Sequence, residues 1–203
     1  GLDEGRFWAE AAYAESMVRS ALGDVEGSLE ALEQALGNWP TYAPALLSMG
    51  SVHYQRKDFE RGRLMFLSLL DLPDDTEDLC EIIDKAGDFL IGVRAYQDGL
   101  DLYHQAAARF PDVAVFHQGV GCCAGNLGDH EQAIVSSRAA LALEPDRPTL
   151  LNDLGWSFLQ AGEPAQALPL LERAVALDGT DKLSAENLRL CRESLRTESK
   201  EQQ

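Results

Sequence analysis

Apolar residues recur along this chain at three- and four-residue steps, and short polar or glycine-containing breaks interrupt them at regular intervals. In one stretch, Leu150, Leu151, Leu154, Phe158 and Leu159 share a helical face, Gly162-Glu163-Pro164 breaks the run, and Ala167, Leu168, Leu171, Ala174 and Val175 resume it. That spacing predicts an amphipathic helix, a turn and a second amphipathic helix. Pro164 falls in the first turn of the second helix, where a missing amide proton costs little. The same punctuation recurs as Gly23-Asp24, Lys57-Asp58 and Gly128-Asp129, with each Asp placed to cap the helix that follows. Pro40, Pro111 and Pro145 stop one pair before the next begins.

The pairs are copies of one another. Gly50, Gly87, Gly121 and Gly155 stand 37, 34 and 34 residues apart, and Ser28, Gly62, Gly99, Ala133 and Ala167 keep the rhythm at 34, 37, 34 and 34. A third column, Ala35, Leu69, Ala106, Ala140 and Ala174, agrees on both the period and the three-residue insertion, which falls within Leu72 to Leu79. A period of this size marks a stacked array, in which each repeat buries its apolar face against its neighbours. The small columns mark where the two helices of a pair cross, since a side chain larger than Ala there forces the axes apart. Leu69 departs from its column, and the three-residue insertion in the same repeat predicts a longer loop and a changed angle between the second and third pairs.

The residues Leu154-Gly155, Phe158, Gly162, Ala167, Leu171 and Ala174, and likewise Val120-Gly121, Ala124, Gly128-Asp129, Ala133, Ala140 and Pro145, carry a resemblance. The chain resembles a tetratricopeptide repeat (TPR) protein. Further matches at Ala86-Gly87, Leu90, Tyr96, Gly99, Tyr103, Ala106 and Pro111, and at Met49-Gly50, Asp58-Phe59, Gly62 and Phe66, extend it from about Ala9 to Gly179. The resemblance implies an all-α, right-handed superhelix of five helix hairpins in one array spanning 1–203. Its repeats fall at about 9–42, 43–79, 80–113, 114–147 and 148–181, followed by a capping helix at about 182–197 and a disordered tail at about 198–203. The first repeat matches least. Glu15 and Arg19 occupy columns that are apolar elsewhere, and their four-residue spacing suits an ion pair along an N-terminal edge; alternatively, they face a piece absent from this chain.

Composition narrows the chemistry. With 34 acidic and 17 basic side chains, the net charge of -17 opposes binding to nucleic acid and anionic lipid, and suits either a basic partner or plain solubility. No apolar run is long enough to insert in a membrane. Cys80, Cys122, Cys123 and Cys191 lack the spacing of a disulfide framework, which favours a reducing, cytoplasmic setting. The start, Gly1-Leu2-Asp3-Glu4, lacks Met and the build of a signal peptide, so the natural N-terminus is hidden and export stays open. No catalytic constellation is evident, and no enzymatic activity, cofactor or metal is expected. His53, His104, His117 and His130 lie in different repeats, Cys122 and Cys123 point about 100° apart on a helix, and Asp74, Asp75, Glu77 and Asp78 read as a solvated acidic loop.

The resemblance further implies that the first helices of successive pairs line a concave, peptide-binding groove. Carried over column by column, that lining comprises Tyr13 and Met17, then Leu47, Ser51 and Tyr54, then Asp84, Lys85, Asp88 and Ile91. It continues through Gln118, Cys122 and Asn126 to Asn152, Asp153, Trp156 and Leu159, with Trp156 facing either the groove or the next helix. The places where some relatives clamp a C-terminal carboxylate hold Tyr13, Met17, Ser48 and Glu81, without clustered positive charge. The expected function is therefore that of a protein- or peptide-binding scaffold for segments with apolar and basic anchors. Self-assembly through the first repeat, or docking for a larger enzyme or assembly, are the alternatives.

Overall fold

The computed structural model describes residues 2–201. Among them the chain is all-α, with eleven α-helices and no strand, as the periodicity predicts. The helices are α1 (Leu2–Ala21), α2 (Val25–Asn38), α3 (Ala43–Gln55), α4 (Phe59–Ser68), α5 (Leu79–Gly92), α6 (Tyr96–Arg109), α7 (Ala114–Leu127), α8 (His130–Leu143), α9 (Pro148–Gln160), α10 (Pro164–Leu177) and α11 (Lys182–Glu201). Where a tail from about 198 was expected, α11 continues through Glu201; residues 202–203 of that expected tail lie outside the described residues.

Every hairpin turn is built the same way. Gly23, Lys57, Arg94, Gly128 and Gly162 hold positive φ, between 61° and 84°. The next residue then returns its amide to the carbonyl five positions back: Asp24 to Arg19, Asp58 to His53, Ala95 to Leu90, Asp129 to Ala124 and Glu163 to Phe158, all at 2.8–2.9 Å. This is the Schellman arrangement, and a left-handed residue is its requirement. Asp24, Asp58 and Asp129 then cap the following helices by accepting from the backbone N–H groups of Gly27, Arg61 and Gln132. The sequence pattern therefore set both the place and the chemistry of these turns.

The chain divides into two compact units, Gly1–Phe89 and Leu90–Gln203, with the boundary inside α5. In the N-terminal unit α1 packs on α2, α2 on α3, and α3 on α4. Leu29, Leu32, Ala35, Ala45, Met49 and Val52 close one core cluster there. A second centre is aromatic: Tyr54 stacks on Phe66 with ring centroids 5.6 Å apart, and Phe89 meets both rings edge-on. The helix α4 is short because it tightens into a 3₁₀ turn over Leu69–Asp71, where the out-of-column Leu69 is fully buried.

In the C-terminal unit each second helix stacks on the next first helix: α6 on α7, α8 on α9, α10 on α11. Leu154, Phe158, Ala167 and Leu171 form a core with Leu188 and Cys191 of α11, so the end helix closes an apolar face with one side and offers charge on the other. The glycine columns mark real close approaches. A Cβ on Gly155 would stand 2.7 Å from Leu171 Cγ, and one on Gly121 would stand 2.7 Å from Ser137 Oγ. No helix among the described residues is long and apolar enough to cross a membrane.

Candidate functional site

First helices recur at one period, so residues about one repeat apart come face to face. In the C-terminal unit this happens twice with a spacing of 35. Gln118 Nε2 on α7 donates to Asp153 Oδ2 on α9 at 2.6 Å, and Asn187 Nδ2 on α11 donates to Asn152 Oδ1 at 2.9 Å. The N-terminal unit repeats the link more weakly, with Ser48 Oγ donating to Tyr13 Oη at 3.5 Å. The links fix the spacing of successive first helices and hold the side chains between them in place.

Trp156 follows Asp153 by three residues on α9, which sets both on one face of the helix. It remains 37% exposed. Asp153 is half-buried, and burial pushes its carboxyl above the usual range, against the hydrogen bonds from Gln118 and Asn152 that pull it down. A carboxylate in that balance gains from any cation brought close to it. On α7, Cys122 and Asn126 are exposed, one turn apart, with Asn126 Nδ2 donating to the Cys122 carbonyl at 2.9 Å. Trp156, Asp153, Gln118, Cys122 and Asn126 thus come from two helices that contact each other. Together they offer an aromatic anchor, a braced carboxylate and polar rims.

Other expected lining residues serve different ends. Asn152 is only 4% exposed and is spent on the link to α11, so it does not face solvent. Leu159 is half-buried against the Leu154–Phe158 core, and Ile91 is half-buried near the end of α5. In the N-terminal unit Tyr54 is 5% exposed and lies inside the aromatic centre, which corrects its assignment as a surface anchor. The cause is the glycine column: a Cβ on Gly62 would overlap the Tyr54 ring, so the absent side chain is what lets the ring turn inward. Met17 is exposed, while Tyr13 is half-buried with its ring edge-on to Tyr42 at 5.5 Å. Leu47 and Ser51 are half-buried and joined by a hydrogen bond from Ser51 Oγ to the Leu47 carbonyl. On α5, Asp84 is half-buried and Asp88 exposed, and the exposed Lys85 pairs with Glu81 at 2.6 Å, a contact that raises its pKa.

Asn187 escaped the sequence reading, although the 35-residue spacing from Asn152 was available to find it. The cysteines are all free: Cys123 is buried, with its thiol pushed up to about 12 by burial, and Cys122 is exposed. Among the described residues no three His, Cys, Asp or Glu side chains gather as a metal site.

Two sequence models of the tetratricopeptide repeat match, one over residues 13–75 and one over 127–189, together more than half of the chain. Protein FlbA of Caulobacter vibrioides is 25% identical over 166 residues, covering 81% of this chain and 27% of that protein. A Tonsoku-like protein of Bos taurus is 32% identical over 99 residues, covering 46% of this chain and 7% of its own length. The chain therefore spans only a minor part of these curated relatives. Among solved structures, YrrB, described as a TPR protein with an unusual peptide-binding site, superposes with a TM-score of 0.59 at 18% identity, covering 86% of this chain and 89% of that one. A MamA chain from Desulfovibrio magneticus RS-1 gives 0.60 at 18% identity, covering 86% and 97%. At these identities the likeness is one of fold.

Proposed function

Because the chain belongs to the tetratricopeptide repeat family, whose fold supports a protein–protein interaction scaffold, we propose that it holds a partner polypeptide on the first-helix surface of α7 and α9 and catalyses nothing itself. The observation that carries this reading is Trp156, left 37% exposed one helical turn from a carboxylate that Gln118 braces. Large aromatic side chains with a fixed polar neighbour are what protein interfaces use as anchors. The fitting ligand is an extended or helical segment with apolar side chains that cover the indole and a Lys or Arg that meets Asp153. The net charge of -17 adds repulsion against acidic competitors. YrrB, similar in fold, has a peptide-binding site by its description, which accords with this assignment. Four free cysteines suit a reducing compartment such as the cytoplasm.

The test is calorimetric titration with an amphipathic peptide of Leu and Lys, and with its Leu and Glu counterpart. The basic peptide should bind, the acidic one should not, and Trp156→Ala should weaken binding while helical circular dichroism stays unchanged. Equal affinity of the two proteins for the basic peptide would remove the assignment.

One observation favours a second reading, self-association through α1. On α1, Phe7 is exposed at 62% and Val18 at 60%, eleven residues apart and so on one helical stripe, and Leu22, exposed at 79%, follows in the turn just after the helix. A second copy could cover that stripe. Light scattering across a concentration series should then show mass rising with concentration in the wild type and not in Val18→Glu/Leu22→Glu; a constant monomer mass would dismiss it.

A further inference from the structure

The N-terminal unit contains a cavity of about 480 Å³ at the N-terminal ends of α1, α3 and α5, separate from the surface of α7 and α9. Its size falls within the roughly 300–1,000 Å³ of ligand clefts. It is bounded by the start of α1, the connection between α2 and α3, and the long connection before α5 that carries the three-residue insertion. One wall is aromatic. Trp39 and Tyr42 stack with ring centroids 4.8 Å apart and planes 18° from parallel, and the indole N–H donates to Thr41 Oγ1 at 2.9 Å, which fixes the ring. Ala43, Pro44, Pro73 and Ile82 add apolar surface, and four carboxylates join the rim, Glu10 from α1 and Asp75, Glu77 and Asp78 from the inserted connection.

A cation already sits there. The Arg6 guanidinium lies over the Trp39 ring, 4.8 Å from its centroid, well inside cation–π range. Arg6 is an exposed side chain near the start of α1, so it can swing away without disturbing the core. Against this single base the rim holds four carboxylates, and the cavity is therefore left with a deficit of positive charge.

We propose that this cavity is a seat for the arginine side chain of a partner polypeptide, with Arg6 as its resident stand-in. A planar guanidinium can lie flat on the indole and present its N–H fork to the carboxylates at the same time, which a lysine ammonium cannot do. Burial and the neighbouring Glu10 raise the Tyr42 hydroxyl pKa, consistent with a partly dry, negative wall. The insertion thereby gains a purpose: it carries Asp75, Glu77 and Asp78 to the aromatic pair. None of the residues on α7 and α9 takes part, so the seat stands or falls independently of the surface around Trp156.

The test uses the indole N–H signals of the full chain in nitrogen-proton correlation spectra. The chain has three tryptophans, and Trp39 is assigned by elimination in Trp8→Phe and Trp156→Phe, which leave the seat untouched. Blocked Gly-Arg-Gly should shift the Trp39 signal along a saturable curve, blocked Gly-citrulline-Gly should not, and Gly-Lys-Gly should bind more weakly. Glu77→Gln/Asp78→Asn should weaken the arginine peptide by about fivefold, the scale of exposed ion pairing. Arg6→Ala should tighten it by about threefold, because an internal competitor is gone. A Trp39 signal that does not saturate, equal response to arginine and citrulline, or weaker binding by Arg6→Ala would each overturn the proposal.

Discussion

The two units of this chain place glycines in the same repeat columns and fill the space beside them differently. In Gly1–Phe89 the glycines at 50 and 62 lie against flat rings: a Cβ on Gly50 would overlap Phe66, and one on Gly62 would overlap Tyr54. In Leu90–Gln203 the equivalent Gly121 and Gly155 approach the Ser137 hydroxyl and the Leu171 branch, with Ala133, Ala140, Ala167 and Ala174 completely buried around them. The first unit thus uses these columns to seat aromatics inside; in the second the ring seated on a glycine, Tyr103 against Gly119, lies outside them, and the columns draw helices together. The room beside Gly62 explains why Tyr54, at a position expected to line a surface, is internal. A repeat column specifies how much room there is, and the local side chains decide what occupies it.

The largest effect should come from ending the C-terminal unit early. Removing everything after Asp178 strips Leu188, Cys191 and Leu195 from the core of Leu154, Phe158 and Leu171. At about 1.5–3 kcal/mol for each large apolar side chain uncovered, the loss should reach roughly 4 kcal/mol or more. Thermal unfolding followed by circular dichroism should move to clearly lower temperature; an unmoved transition would contradict neighbour-dependent stability.

Next come the glycine columns themselves. Gly50→Ala must displace a ring enclosed by Tyr54 and Phe89, whereas Gly121→Ala meets a single close side-chain atom, Ser137 Oγ at 2.7 Å, with the Ala133 carbonyl next at 3.3 Å. The first should cost about 1–3 kcal/mol, in the range of overpacked cores, and the second less than about 1 kcal/mol. Gly155→Leu belongs with the first. Chemical denaturation midpoints would check the order, and equal costs at Gly50 and Gly121 would erase the contrast between the units.

A smaller effect is pH-dependent. Burial holds the Asp153 carboxyl above its ordinary range, so the folded state keeps this proton longer than the unfolded chain does. Folding stability therefore falls as pH rises from the ordinary carboxylate range through the raised Asp153 value. Asp153→Asn should flatten that fall. Asp181 behaves oppositely: hydrogen bonds from Ser184 and the Leu183 backbone lower its pKa, so its contribution is present above the ordinary range and lost on acidification. Denaturation midpoints taken from pH 3 to pH 7 should separate Asp153→Asn from Asp181→Asn; parallel curves would contradict both assignments. The smallest expected effect is at the Arg19–Glu15 pair, 2.6 Å apart and open to solvent, where Glu15→Ala should move the denaturation midpoint least of all these variants.

The fold was legible because its determinants are local and repeated. Gly-Asp turns, small crossing columns and three- to four-residue apolar steps act within one repeat, and the caps at Asp24, Asp58 and Asp129 form as those steps require. The site was legible only in part. Cys122 and Asn126, expected along the lining, are exposed, but column position left Trp156 open between the groove and the next helix, and it could not tell that Asn152 would be consumed by Asn187 or that Tyr54 would turn inward over Gly62. Those outcomes depend on pairs of residues in different helices, and a single column carries no information about its partner. The aromatic cavity at Trp39 was out of reach for the same reason, since it joins the start of α1 to two connections that lie far apart in sequence.

The account rests most heavily on the surface of α7 and α9, and fluorescence quenching of Trp156 tests it directly. In a Trp8→Phe/Trp39→Phe chain, where Trp156 is the sole indole, saturating amphipathic Leu-Lys peptide should shield the fluorescence from iodide, and Asp153→Asn should reduce that shielding. Quenching that is the same with and without peptide would contradict the claim that this surface holds a polypeptide.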